Sequence, residues 1–260
     1  MSVLRIGDKS KLVVSLQNEL MDEGYDVVAD GDFGPKTEKA VIDFQMTHGL
    51  VADGIVGANT WKLLRSGSQP LWALTQQDIA DAAKELDVEV AVINTVCEVE
   101  SSGSGFISEG KPKILFERHW MYRKLKALGK EVDQIAGVHP NIVLKRTGGY
   151  VGGVGEYDRL KKAKKLDVNC AIESTSYGRF QIMGFWWKEL GYESPVHYEE
   201  CMCKNEGEHL KAFVRFVKHD PKLHKALQNK HWGHVARIYN GPNHRGYDLK
   251  LKTAYLKYSH

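Results

Sequence analysis

Asp30-Gly-Asp-Phe-Gly-Pro-Lys-Thr37 and Asp53-Gly-Ile-Val-Gly-Ala-Asn-Thr60 are two versions of one phrase. Asp30, Gly31, Gly34 and Thr37 return as Asp53, Gly54, Gly57 and Thr60 at the same offsets. An Asp-Gly pair makes a turn, because the Asp side chain bonds nearby backbone and Gly reaches positive φ without a clash. Pro35 suits the first turn of a helix, and Ala40, Val41 and Phe44 then share one helical face. The phrase therefore reads as a turn followed by a helix, used twice. Upstream, Leu12, Leu16 and Leu20 recur every four residues until Gly24 stops the helix. Downstream, a short helix from near Asn59 carries Trp61 and Leu64. Three short helices in about 60 residues make a small core that is only modestly stable alone.

On these motifs, residues 3–65 resemble the three-helix peptidoglycan-binding domain of cell-wall hydrolases. The resemblance implies a wall-binding module over residues 1–66, with Asp30, Gly31, Phe33, Gly34, Thr37, Asp53, Gly54 and Thr60 as its candidate residues. Turn chemistry alone explains the glycines; the binding role rests on the resemblance.

Ser66-Gly-Ser-Gln-Pro70 is a short polar linker, so residues 67–74 are expected to separate the module from a second domain over 75–260. The chain has 260 residues, 42% hydrophobic and 27% charged, which is ordinary globular composition. No run approaches the ~18 apolar residues of a membrane span. The start Met-Ser-Val-Leu-Arg-Ile-Gly-Asp-Lys lacks the apolar core of a secretory signal, so synthesis and storage in a cytoplasm are expected. Four cysteines in a chain this long make no disulfide framework, and Cys201-x-Cys203 has the wrong spacing for a zinc knuckle. Residues 1–65 hold seven Lys/Arg against ten Asp/Glu; the remainder holds 29 against 23. The basic second part suits an acidic polymer or a solvated surface.

From Thr75 the pattern is largely helical. Thr75 caps a helix with Asp78 three residues on, and Ile79, Ala82, Ala83 and Leu86 share a face. A second helix runs from about Glu89 to Glu100 and stops at Ser101-Ser-Gly-Ser-Gly105. A hairpin is expected next: Phe106-Ile107, a turn at Glu109–Pro112, then Ile114-Leu115-Phe116. Helices follow over 117–128, after the Gly-rich stretch 148–155, and near 182–190, 206–218, 221–229 and 231–239.

Glu98 and Glu100 stand about 200° apart on a helix, so only one can face a given cleft. Glu100 shares its side with Ile93, Val96 and Cys97; Glu98 shares its side with Asn94 and Thr95. Glu100 is therefore driven inward and Glu98 is expected at the surface. Burial and the negative end of the helix dipole both raise the pKa of an inward carboxyl. An acid held protonated near neutral pH is what a glycosidase needs to protonate a leaving oxygen.

Glu100-Ser101 ending a helix before Gly and a hairpin resembles the catalytic glutamate of lysozyme-like folds. Pro112-Lys-Ile-Leu-Phe-Glu-Arg-His119, Gly148-Gly-Tyr-Val-Gly-Gly153 leading to Glu156 and Arg159, Ser174-Thr-Ser-Tyr-Gly-Arg-Phe-Gln-Ile-Met-Gly184 and Tyr239-Asn-Gly-Pro242 resemble the N-acetylmuramidase domain of phage endolysins. The resemblance covers residues 75–258. It implies a mainly α chain: a three-helix binding domain plus an α+β lysozyme-like catalytic domain with a small hairpin. It also implies cleavage of the β-1,4 bond between N-acetylmuramic acid and N-acetylglucosamine, with no cofactor or metal. The expected partner is bacterial peptidoglycan, met by a monomer with no nucleic acid and no stable membrane association. Release from the host cytoplasm through a phage-encoded pore is the expected route to the wall.

Glu117 follows the hairpin and lies in the Leu-Phe-Glu-Arg-His motif, so it is the candidate base or water-orienting group. An inverting base sits ~6.5–9.5 Å from the acid. Glu109 at the hairpin tip is the competitor, and capping of the next helix is the structural alternative for Glu117. Tyr150, Ser176, Tyr177, Phe180, Gln181, Tyr239, Asn240 and Tyr247 are the candidate sugar contacts, since polyol recognition needs flat apolar faces and fixed amides. Core packing is the other reading, strongest for Phe180, Ile182 and Met183. The family usually has Trp where Tyr177 stands, and the loop before Tyr247 is short.

A lytic transglycosylase is the nearest rival, since it uses one glutamate and needs no Glu117. A wall-binding protein without catalysis is the rival of another class, opposed by intact Glu100. A zinc peptidase lacks His-Glu-x-x-His, and Cys97 sits mid-stripe on an apolar face. The lysine-rich helices of 209–230 read as solvated, with contact to anionic lipid as the alternative.

Overall fold

The computed structural model describes residues 3–66, 72–100, 104–241 and 246–259, the side chain of Asn240 excepted. Most of the expected linker, Ser101-Ser-Gly103, and Pro242 with the three residues after it lie outside the described residues.

Helices α1 (Lys11–Asp22), α2 (Pro35–Thr47), α3 (Ala58–Ser66), α4 (Gln76–Leu86) and α5 (Val90–Glu100) come first. Strands β1 (Phe106–Ser108), β2 (Lys111–Pro112) and β3 (Ile114–Phe116) follow, then α6 (Arg118–Ala127), α7 (Val132–Val138), α8 (Gly155–Lys164) and α9 (Val168–Glu173). Next are β4 (Thr175–Tyr177), β5 (Ile182–Met183), α10 (Pro195–Met202) and α11 (Glu206–His219). The chain closes with α12 (Pro221–Gln228), α13 (Trp232–Asn240) and α14 (Tyr247–Tyr258). The mainly α expectation holds. No helix among the described residues is long and apolar enough to cross a membrane.

Two compact units divide the chain: residues 1–104 with 220–260, and residues 105–219. The division does not fall at the expected linker. The N-terminal module shares the first unit with α4, α5 and the last three helices.

In the module, Val13, Leu16, Leu20, Phe33, Val41, Phe44 and Trp61 form a closed core. The repeated phrase is wired to it by two glutamines. Gln17 on α1 donates to Asp30 Oδ1 (2.8 Å), Asp32 O (3.0 Å) and Thr37 Oγ1 (3.1 Å), and accepts from Gly31 N (2.8 Å). Gln45 on α2 repeats this with Asp53 Oδ1 (3.1 Å), Ile55 O (3.0 Å), Thr60 Oγ1 (3.2 Å) and Gly54 N (2.9 Å). The shared Asp and Thr thus accept from one buried amide and the shared Gly donates to it, beside one backbone carbonyl. This corrects the binding expectation for Phe33, Thr37, Asp53 and Thr60, which are buried and turned inward. Gly31 and Gly54 supply the positive φ (79° and 68°) that aims their N–H at the glutamine.

The same unit ties the module to α5. Lys257 Nζ on α14 reaches the Asp53 carbonyl, Glu38 Oε1 (3.3 Å) and Glu98 Oε2 (3.4 Å). Thr75 and Asp78 make the expected capping box at α4.

In the second unit, β1 and β2 form a hairpin around Glu109-Gly110, with Phe106 opposite Pro112. Ile114-Leu115-Phe116 does not extend that hairpin. It pairs antiparallel with β4, Ile114 opposite Tyr177 and Phe116 opposite Thr175, and β4 pairs with β5. The expected helix over 182–190 is replaced by β5 and a 3-10 turn at Gly184–Trp186. Gly184 permits this path, since a Cβ there would lie 2.1 Å from the Ile172 carbonyl oxygen. Buried Arg179 and Glu206 pair at 3.2 Å, and Glu206 also takes the Gly105 N–H.

Gln45→Leu removes four buried hydrogen bonds while adding no bulk. It is expected to destabilise the fold by about 2–4 kcal/mol, read as a lowered midpoint in thermal melts of the full chain.

Candidate active site

Glu100 closes α5. Ala91, Val92, Ile93, Val96 and Cys97 bury the helix, so its direction is fixed by packing. Thr95 is buried too, its Oγ1 donating to Ala91 O at 2.6 Å. Glu98 is not the surface residue its neighbours suggested. It accepts from Tyr258 Oη at 2.6 Å and faces Lys257, so α14 covers this side of α5. Burial raises the Tyr258 phenol, which keeps it a donor.

Glu100 differs from Glu98 in having no counter-charge among the described residues. Its Oε1 is buried without a hydrogen-bond partner among the described residues. Burial pushes its carboxyl up to about 8, and the helix dipole acts in the same direction. A carboxyl in this state is a proton donor at neutral pH.

Glu117 stands between β3 and α6, in the N-cap position of α6, yet its side chain makes no capping bond. It meets Tyr150, whose hydroxyl donates to both carboxylate oxygens at 2.8 and 2.9 Å. His119 Nδ1 lies 3.0 Å from Glu117 Oε2 on the other side, at ion-pair distance though not aligned as a hydrogen bond. Burial and the Glu117 carboxylate both raise the Tyr150 phenol.

The loop carrying Tyr150 is placed from below. Gly148, Gly149, Gly152 and Gly153 all have positive φ. The loop's Val151 and Gly152 N–H groups donate to Glu156 Oε1 (2.7 and 3.1 Å), and Phe116 N donates to Glu156 Oε2 (3.1 Å). Arg159 completes this carboxylate at 2.7 Å and also donates to Phe116 O. Burial opposes the Glu156 charge, yet the three N–H groups and the guanidinium outweigh it and hold the carboxyl below its ordinary value. Arg118 fixes the loop's other end through Arg146 O (3.0 Å) and Thr147 O (2.9 Å).

The remaining candidates separate. Ser176 Oγ donates to Gln181 Oε1 at 2.9 Å, and Gln181, exposed at φ 49°, donates to Gly178 O at 2.8 Å. Tyr177 is 2% exposed; its hydroxyl donates to Glu199 and its ring packs edge-on against Tyr198. Phe180 is buried and stacks on Phe213. These two are core residues, which corrects their placement as sugar contacts. Tyr239 near the end of α13 and Tyr247 at the start of α14 are half-buried. The Asn240 side chain lies outside what is described. Glu109 sits exposed at the hairpin tip.

Glu156, Arg159 and His119 all stand inside the motifs, but nothing local in the sequence marks what they do. A charged pair three residues apart after a Gly-rich loop flags the first two without stating their role.

Two family models match the chain. One described as N-acetylmuramidase covers residues 89–259, and one described as a peptidoglycan binding domain covers residues 9–64. The crystal structure of Burkholderia AP3 phage endolysin matches with a TM-score of 0.92 at 44% identity, covering 99% of each chain. An uncharacterized protein from the bpoA1 3' region of Kitasatospora aureofaciens is 48% identical over 71 residues. That match spans 25% of this chain and 58% of the relative's length.

The raised Glu100 carboxyl has a stability consequence. Below the ordinary carboxylate range the group is protonated in both folded and unfolded chains and has no effect. From there to about pH 8 the unfolded chain ionises and the folded one resists, so stability falls as pH rises. Glu100→Gln lacks this loss. It is expected to match the parent near pH 4 and exceed it at pH 8 by on the order of 2–4 kcal/mol, read from urea melts at both pH values.

Proposed function

This chain belongs to the N-acetylmuramidase family and carries a peptidoglycan-binding domain at its N-terminus, and we propose that it hydrolyses the β-1,4 bond between N-acetylmuramic acid and N-acetylglucosamine. The observation that carries the reading is Glu100: a half-buried residue at the end of a packed helix, its carboxyl raised to about 8 by burial and its Oε1 without a hydrogen-bond partner among the described residues. It gives its proton to the glycosidic oxygen as the bond to the leaving sugar breaks. Glu117 takes a proton from the attacking water, with Tyr150 and His119 fixing the direction of its oxygens. Gln181, Tyr239, Asn240 and Tyr247 remain candidate sugar contacts; the buried Ser176, Tyr177 and Phe180 do not.

Residues 1–66 hold the enzyme on the wall and 75–260 cut it. The 1–66 surface that meets the wall is not the buried glutamine wiring. The likeness to a phage endolysin supports a lysis protein that waits in the host cytoplasm until a pore-forming phage protein releases it to the wall.

Glu100→Gln is expected to lose at least about a thousandfold in kcat while remaining folded. Parent digests of purified peptidoglycan, analysed by mass spectrometry before and after borohydride, are expected to give reducible N-acetylmuramic acid ends. Non-reducible ends one water lighter would reassign the protein as a lytic transglycosylase.

Tyr150→Phe keeps the ring and removes both bonds to Glu117. It is expected to lower kcat about tenfold with KM unchanged. A raised KM in Tyr150→Ala with a normal Tyr150→Phe would instead assign Tyr150 to sugar stacking.

A further inference from the structure

A cavity of about 680 Å³ lies between α12 and α13, and the chemistry above makes no use of it. Lys222 and Lys225 enter it from α12, and His231, His234 and Arg237 from α13. No carboxylate lines it. Asp220, the acid nearest in sequence, is engaged by the backbone N–H groups of Lys222 and Leu223 at 2.9 and 3.1 Å. The two lysines and Arg237 have no counter-charge among the described residues. His231 and His234 touch ring to ring, with centroids 5.7 Å apart. No third ligand completes a metal site around them among the described residues.

Spacing by three puts His231, His234 and Arg237 on one side of α13. Lys222, Lys225 and Arg237 are exposed, and three cations with no acid among them give the groove a positive potential that favours an anion. Pro221, Ala226 and Ile238 add an apolar wall, so the complementary ligand has apolar groups beside its anions. Its length is set by α13: six residues at ~1.5 Å rise give ~9 Å from His231 to Arg237, about three residues of extended peptide. The helix then runs directly into Tyr239, one of the candidate sugar contacts.

We propose that this groove binds the acidic peptide that branches from the peptidoglycan glycan. Its carboxylates meet Arg237, Lys225 and Lys222, and its methyl groups lie against Ile238 and Ala226. Arg237 supplies the planar fork that a carboxylate takes in two bonds. The proposal rests on the reading that this protein cuts that glycan, and it makes the branching peptide part of what the enzyme recognises.

The test uses the full chain, the double variant K225A/R237A, and a control double variant, K126A/K130A, at exposed lysines of the other unit. A synthetic stem peptide with two carboxylates is titrated by NMR. Turnover is measured on peptide-bearing walls and on glycan strands stripped of peptide. The groove variant is expected to bind the peptide about tenfold more weakly, to raise KM on peptide-bearing wall by a similar factor, and to cut stripped glycan at the parent rate. Equal slowing on both substrates, or the same loss in the control variant, overturns the proposal. So does a groove that binds inorganic pyrophosphate or anionic vesicles but not the peptide, which would mark a phosphate-bearing partner. If the parent cuts neither substrate, the hydrolase reading fails, while the peptide titration still decides the groove.

Discussion

A single buried ion pair organises one side of the candidate site. Glu156 and Arg159 are almost wholly out of water, and apart from the bond between them their hydrogen bonds all go to backbone. Glu156 gathers the Gly-rich loop and the end of β3; Arg159 returns to Phe116 O and to Asn141 O. Such a pair adds little net stability, because desolvation cancels most of the attraction. What it adds is geometry. The loop's four left-handed glycines have no conformation of their own, and the carboxylate selects one in which Tyr150 meets Glu117.

Glu100 is the opposite case. Glu156 is buried with four donors and stays charged; the Glu100 Oε1 is buried with none among the described residues, and the carboxyl keeps its proton. The two show why burial alone does not assign a role to a carboxyl: the donors around it decide which protonation state is stored. A folded chain tolerates the unpartnered acid because the neighbouring turns of α5 are packed against α14, with Glu98 held by Tyr258 and Lys257.

The helical frame was legible because it rests on local signals. Leu16 and Leu20, the Thr75 box and the Glu100 face are all written within one or two turns of chain. What the sequence hid depends on partners far away. The strand at Ile114 looked like half of a hairpin, yet its partner begins at Thr175. Glu98 looked solvated because its cover comes from Tyr258, 160 residues on. Tyr177 looked like a groove residue because a motif carries it, while its burial depends on α10. The acid could be named from its face on one helix; the loop that orients Glu117 could not, since a glycine-rich stretch does not state which conformation it takes.

The two glutamine locks have an evolutionary and practical corollary. They hold the same partners across different spans, 13 residues from Gln17 to Asp30 but 8 from Gln45 to Asp53. The wiring is therefore indifferent to how much chain lies between donor and turn. A half-module that copies its lock can be duplicated in tandem, and the segment between can differ in length provided its buried apolar positions, Leu20 and Val27 in one copy and Leu50 and Val51 in the other, are kept. The exposed positions of that segment are where inherited variation, or a grafted recognition sequence, can accumulate at least cost to the fold.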